Sequence, residues 1–215
     1  MSVGENLAAV RERISRAGRN PDDITIVAVT KGFSPEVCTG ALDAGLKVLG
    51  ENRVQEALDK MDAVPGAEWH LIGHLQTNKV RLAAGRFALI QSVDSRHLAD
   101  ALARINVEQK VLIEVNVARE SKKTGVEPEA APDLIDQVAE MLDLRGLMAM
   151  GPIGRDPLSA FQELHRLRED AQQRLGKSLP ILSMGMSGDF EVAVKAGSTM
   201  LRLGTVLFGP RPAKG

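Results

Sequence analysis

The sequence predicts an α/β fold, a single-domain TIM-type (β/α)8 barrel with an extra N-terminal helix, on three observations. Eight short apolar runs alternate along the chain with stretches of helical spacing. Strict alternation implies parallel strands joined by crossover helices, and eight such units are what a closed barrel needs. The runs are also apolar on both faces: Ile24 to Val29 reads Ile-Thr-Ile-Val-Ala-Val, the pattern of a strand covered on both sides. Finally, 215 residues without a linker, a low-complexity segment or a second hydrophobic unit fit one domain over 1–215, lean enough that its loops must be short. An open doubly wound sheet satisfies the same alternation, because periodicity does not report closure.

The elements follow in order. Val3, Leu7, Val10, Ile14 and Ala17 form one helical face, ended by Gly18. The first strand runs from Ile24 to Lys31. Ser34-Pro35-Glu36 predicts a helix start, with Ser34 as cap, Pro35 in the first turn and Glu36 facing the positive end of the dipole. Leu46 to Asn52 reads as the second strand, and Val54, Ala57, Leu58 and Met61 as the next helical stripe. Trp69 to Gly73 is the third strand, Gln76 to Ala84 a helix, and Phe87 to Asp94 the fourth strand. Ser95 caps a helix with Leu98, Leu102 and Ile105 inward. Lys110 to Val117 is the fifth strand, followed by a polar loop over 119–125 and a helix from about Pro132. Leu144 to Met150 is the sixth strand, and Pro157 opens a longer helix ended by Gly176. Pro180 to Gly185, a short helix over 189–196, and Thr199 to Gly204 complete the pattern, with 209–215 expected as a flexible tail.

Composition excludes several roles. A net charge of −1 offers no basic field for nucleic acid or an anionic membrane. Aromatic residues make up 3%, with one Trp and no Tyr, which argues against a base-stacking platform. A lone cysteine, Cys38, forms no internal disulfide and is expected to be a buried small hydrophobe in a reducing compartment. No apolar leader or membrane-length stretch is present, so the expected location is cytoplasmic. A monomer is the expected state.

The strand carboxyl ends of a barrel share one face, where such folds place their chemistry. That face would collect Lys31, Glu51-Asn52-Arg53, Gly73-His74, Asn116, Ser187-Gly188 and Gly204-Thr205. An isolated strand-end lysine ordinarily snorkels to water. Here, however, Met184-Gly185-Met186-Ser187-Gly188-Asp189 runs into a short helix, and Leu203-Gly204-Thr205 ends the last strand. Loops after strands seven and eight are the recurrent phosphate position of this fold. A lysine beside a phosphate site points to a phosphorylated aldehyde: pyridoxal 5′-phosphate (PLP), or the sugar phosphate of a Schiff-base aldolase. Arg202 separates the two, since it lies two residues before Gly204 and shares its side of the strand. A guanidinium facing a pyridine nitrogen cannot accept a proton from it, so the ring is a weak electron sink.

These residues resemble the PLP homeostasis proteins (the YggS/PROSC-like family), whose barrel is similar to the N-terminal domain of alanine racemase. The matching stretches include Ala28-Val29-Thr30-Lys31, Gly50 to Glu56, Trp69 to Lys79, Ser92 to Ser95, Val115-Asn116-Val117 and Lys123-Thr124-Gly125. Gly146-Leu147-Met148, Ser183 to Ser187 and Leu201 to Gly209 complete a set spanning nearly the whole chain. Met150-Gly151-Pro152 departs from the family's frequent Pro-Pro pair. The resemblance implies that Lys31 forms the internal aldimine, that Arg202 faces the ring nitrogen, and that Ser187 with the backbone of Gly204 and Thr205 holds the phosphate. It also implies that Asn52 touches the cofactor. His74 is read as a hydrogen-bonding loop residue or a ligand contact.

The expected function is therefore PLP binding in intracellular vitamin B6 and amino-acid homeostasis, without established catalysis, with PLP and apo-PLP enzymes as partners. The alternative is a PLP-dependent racemase or lyase. A racemase of the alanine type needs a tyrosine from a separate domain as its second acid/base, and this chain has no tyrosine, so His74 or Lys79 would have to be recruited. No metal site is expected.

Overall fold

The computed structural model describes residues 2–210. Eight strands, β1 (Thr25–Val29), β2 (Val48–Glu51), β3 (Glu68–Leu71), β4 (Leu89–Val93), β5 (Lys110–Glu114), β6 (Asp143–Met148), β7 (Ile181–Ser183) and β8 (Met200–Leu203), pair in sequence order. Every pairing is parallel and β8 returns to β1, so the barrel is closed and the open-sheet alternative is excluded. Val27, Val48, Leu89, Leu112, Met148 and Met200 form one buried cluster inside the barrel. A larger cluster, including Ile26, Ala28, Leu49, Leu71 and Ile113, fills the layer between strands and helices. Each Val, Leu, Ile or Met side chain so taken from water contributes about 1.5–3 kcal/mol.

The helices are α1 (Val3–Arg16), α2 (Pro35–Asp43), α3 (Val54–Met61), α4 (Val80–Ala83), α5 (Arg96–Ala103), α6 (Ala131–Met141), α7 (Leu158–Leu175), α8 (Phe190–Lys195) and α9 (Thr205–Phe208). α1 begins in a capping box, with Ser2 Oγ accepting from the Glu5 amide at 3.2 Å and Glu5 Oε2 from the Ser2 amide at 2.7 Å. It packs against α2, α8 and α9, in the place in the ring that a full eighth crossover helix would take. Arg13 fixes it there: the guanidinium lies 4.3 Å over the Phe190 ring and makes two 2.9 Å hydrogen bonds to Glu191.

Four expectations change. The strands are shorter than their apolar runs, although flanking residues such as Thr30, Ile72 and Val115 still donate to the neighbouring strand at 3.1, 2.9 and 2.9 Å. Gln76 to Ala84 is not one helix but a 3-10 turn, Thr77–Lys79, followed by the four-residue α4. Ser34 stands at the cap of α2 but makes no capping bond; its hydroxyl instead holds the Glu36 carboxyl below the usual range. The last strand is followed by α9, a helix that the sequence does not predict. Ser95 does cap α5, accepting from the Leu98 amide at 3.4 Å. Of the expected tail, residues 211–215 lie outside the described residues, and Gly209 closes α9 through a 2.9 Å bond to Thr205 O.

Register shifts between β5 and β6 at Gly146, whose φ is +152°. A Cβ there would overlap the Ile181 carbonyl, so only glycine lets β6 lie against β7. Among the described residues no helix is long and apolar enough to cross a membrane, and no group of His, Cys, Asp and Glu is placed to hold a metal.

Candidate functional site

β1 delivers Lys31 to the carboxyl-end mouth of the barrel, half-buried and one pleat step beyond Val29 on the inner face. The residues on either side of it are clamped from behind the barrel wall. Thr30 points outward, fully buried, and its hydroxyl donates to Glu51 Oε1 at 2.7 Å. Lys60 of α3 donates to the Thr30 carbonyl at 3.0 Å, to Glu51 Oε1 at 2.8 Å and to Glu56 Oε1 at 3.1 Å. Glu56 also accepts from the Gly32 amide. Burial pulls the Lys60 ammonium down, but the two carboxylates outweigh it and hold it above the ordinary lysine range. Burial pushes Glu51 up, and its Oε2 has no hydrogen-bond partner. Cys38 is buried beside this cluster and burial pushes its thiol up, as expected of an inert core cysteine.

Glu51 is thus a correction. The sequence places it on the mouth, whereas the pleat turns it outward under α3; only Asn52, the next residue, reaches the mouth. Gly73 permits this, because a Cβ at 73 would run into the Asn52 backbone.

The opposite wall is built by the turns after β7 and β8. Asp189, not Ser187, precedes α8, and its carboxylate accepts from the Met186 amide at 2.6 Å, so that amide is already spent. Ser187 Oγ accepts from the Val206 amide at 3.2 Å and ties the two turns together. Gly204 precedes α9, its carbonyl accepting from the Leu207 and Phe208 amides at 2.9 Å. Phe208 meets Phe33 at a ring separation of 5.3 Å, joining this turn to the loop that carries Lys31.

Arg202 lies between the two walls, 4% exposed. Its guanidinium donates to the Ser183 carbonyl and hydroxyl and to the Ala149 carbonyl, each at 2.8 Å. Burial pulls it down to about 10, with Glu114 and Asp189 opposing, so it stays charged at neutral pH. Glu114, which the sequence reading left unassigned, points to the same interior; burial pushes its carboxyl up, and Thr124 donates to it at 2.6 Å.

One cavity of about 300 Å³ collects the predicted set: Lys31, Asn52, Ser187, Arg202, Gly204 and Thr205 all line it. Val29, Phe33, Ile72, Met150 and Met186 supply apolar walls. Arg53, Gly73, His74 and Asn116 are elsewhere. Asn116 pins the loop after β5 through Glu120 O at 3.2 Å and Glu127 Oε1 at 3.0 Å. His74 pairs with Asp94 at 3.2 Å and lines a neighbouring cavity of about 590 Å³ with Arg53 and Lys79. The clamp of Glu51, Glu56 and Lys60 was missed, although Glu56 and Lys60 four apart on an amphipathic helix were its visible signal.

The family model for the alanine racemase N-terminal domain matches residues 5–212. The pyridoxal phosphate homeostasis protein of Aquifex aeolicus is 43% identical to this chain, over 98% of it and 99% of that relative. Among solved structures, PipY of Synechococcus elongatus with PLP bound has a TM-score of 0.84 at 32% identity, covering 97% of this chain and 100% of that one. Alanine racemase from Corynebacterium glutamicum has a TM-score of 0.78 at 17% identity, over 99% of this chain and 62% of that one, a likeness of fold alone.

Proposed function

The chain belongs to the alanine racemase N-terminal domain family, among its pyridoxal phosphate homeostasis proteins, and from that membership we propose that it binds PLP at the barrel mouth. The role is cofactor and amino-acid homeostasis, keeping PLP available to apo-PLP enzymes rather than turning over a substrate. The observation that carries the reading is the convergence of an amine, a buried guanidinium and the turns at Ser187 and Gly204 on one 300 Å³ cavity.

The donor set fits the cofactor. Lys31 supplies the amine for its aldehyde carbon. Ser187 and the backbone of Gly204 and Thr205 suit a phosphate, and Asn52 would offer the cofactor a polar contact. Arg202 would face the ring nitrogen, from which a guanidinium cannot accept a hydrogen bond. When bound, PLP supplies an electron sink for carbanion chemistry, and that sink is weak beside a permanent cation. Met150, Met186 and Phe33 would give the ring apolar neighbours.

The absence of turnover is supported by the acid/base inventory. The sequence holds no tyrosine, and His74 and Lys79 line the neighbouring cavity instead of this one. The test is the visible spectrum of protein loaded with PLP. Lys31→Ala is expected to lose the long-wavelength band, and a band unchanged in the variant would refute the assignment. Exchange of an amino acid's α-hydrogen in deuterated water, abolished by Lys31→Ala, would favour a racemase or lyase instead.

A further inference from the structure

Below Arg202 the barrel interior carries a buried polar chain that the proposed function does not use. Arg202 Nη1 is 2.8 Å from Ser183 Oγ, which is 2.7 Å from Gln91 Oε1. Gln91 Nε2 is 3.0 Å from His70 Nδ1, and His70 Nε2 is 3.1 Å from Glu68 Oε1. His70, Gln91, Ser183 and Arg202 are all buried, whereas the Glu68 side chain is 55% exposed at the opposite, amino-terminal end of the barrel. The chain therefore spans the barrel from one end to the other.

Its sense follows from its ends. A guanidinium only donates, so the Ser183 hydroxyl accepts from Arg202 and gives its own proton to Gln91 Oε1. The Gln91 amide nitrogen is then the donor to His70 Nδ1. The His70 proton sits on Nε2 and goes to the Glu68 carboxylate, whose pKa this bond lowers. Every member is satisfied in this one sense, and the bonds polarise one another along it. Apolar side chains would fill the same space without the desolvation cost, as Leu89, Leu112 and Met200 do around it.

We propose that His70 is a remote positioning residue for the cofactor site, acting through Gln91 and Ser183 on the Arg202 guanidinium. It lets the protonation state at the amino-terminal end of the barrel be read at the mouth. The proposal rests on the reading that PLP lies at the mouth with its ring nitrogen toward Arg202. A proton arriving on Nδ1 removes the stronger of the two acceptors of the Gln91 amide, the other being Met200 Sδ, and sets N–H against N–H. The amide must then turn over, the Ser183 hydroxyl loses its acceptor, and the hydrogen-bond frame of Arg202 changes. The groups facing His70 are Glu68 on its own strand, Gln91 from β4 with Met200 Sδ from β8 at 3.2 Å from the same amide, and, around an amino-terminal cavity of about 390 Å³, Asp23, Lys110 and Arg145.

Two measurements test this. In the protein without PLP, nitrogen NMR of the imidazole is expected to report the Nε2–H tautomer for His70. A dominant Nδ1–H form would overturn the proposal whether or not PLP binds. In PLP-loaded protein, the visible band is expected to change as the pH is varied. Gln91→Met, which keeps the volume but breaks the chain, is expected to abolish that change while retaining stoichiometric PLP. An unaltered pH response in Gln91→Met, or none in the wild type, would overturn it. A wild-type protein that retains no PLP would sink the underlying reading, and is told apart by the missing band itself. Where Gln91→Met does not fold, His70→Gln is the second variant, with the same expectation.

Discussion

Lys60 is the single residue on which the geometry around Lys31 depends most. It is buried, and it faces the fully buried Glu51 at 2.8 Å. Lys60→Ala leaves that carboxylate unpaired, which costs about 3–5 kcal/mol; the urea midpoint measures it, and a loss below about 1 kcal/mol would contradict the buried-pair description. Glu56 adds a pH dependence. Burial pushes its carboxyl up, but the Gly32 amide and Lys60 outweigh this and the net shift is downward. A depressed carboxyl contributes stability that is present above its unfolded value, about 4.3, and is lost as pH falls through the folded value. Denaturation midpoints should therefore fall on acidification below about pH 4, and Glu56→Gln should flatten that fall. The place of Lys31 at the mouth was legible because a charged residue closing an apolar run is conspicuous, and that of Arg202 because it lies two residues before Gly204 on the same side of its strand. Glu51 was not placed correctly, because a single residue of strand register decides which face a side chain takes.

Among the elements, α1 and α9 divide between them the place of one crossover helix. α9 is a single turn, and Asn6 of α1 donates to its Leu207 carbonyl at 2.8 Å. Ile14 of α1 is fully buried against the barrel. Ile14→Ala should cost about 2–5 kcal/mol in a denaturant titration; a smaller loss would mean that α1 rides on the barrel instead of closing it. The amphipathic face of α1 was readable from its spacing. Its destination was not, since periodicity gives a buried face and no partner. α9 was invisible for a related reason: four residues, Thr-Val-Leu-Phe, are too few to show a helical period. The 3-10 turn at Thr77–Lys79 broke a stretch that spacing alone reads as continuous.

For the whole molecule, strand number and order were legible while closure was not. Closure follows from the pairing of Thr25 to Ala28 with Met200 to Leu203, a contact between residues some 175 positions apart that no local pattern encodes. The polar interior was equally hidden, because His70, Gln91 and Ser183 lie in three different strands.

The contact between Phe33 and Phe208 bears on residence time. The loop that presents the lysine and the turn suited to the phosphate are joined through these rings at 5.3 Å. In the proposed role, a ligand held at both ends leaves only when both anchors are open at once, so loosening either one speeds release. Phe33→Ala should speed PLP loss to a scavenging apo-enzyme, with stopped-flow absorbance as the measurement. An unchanged rate would assign the hold to Lys31 alone. For the proposed role of keeping PLP available, the speed of release is the quantity on which usefulness turns.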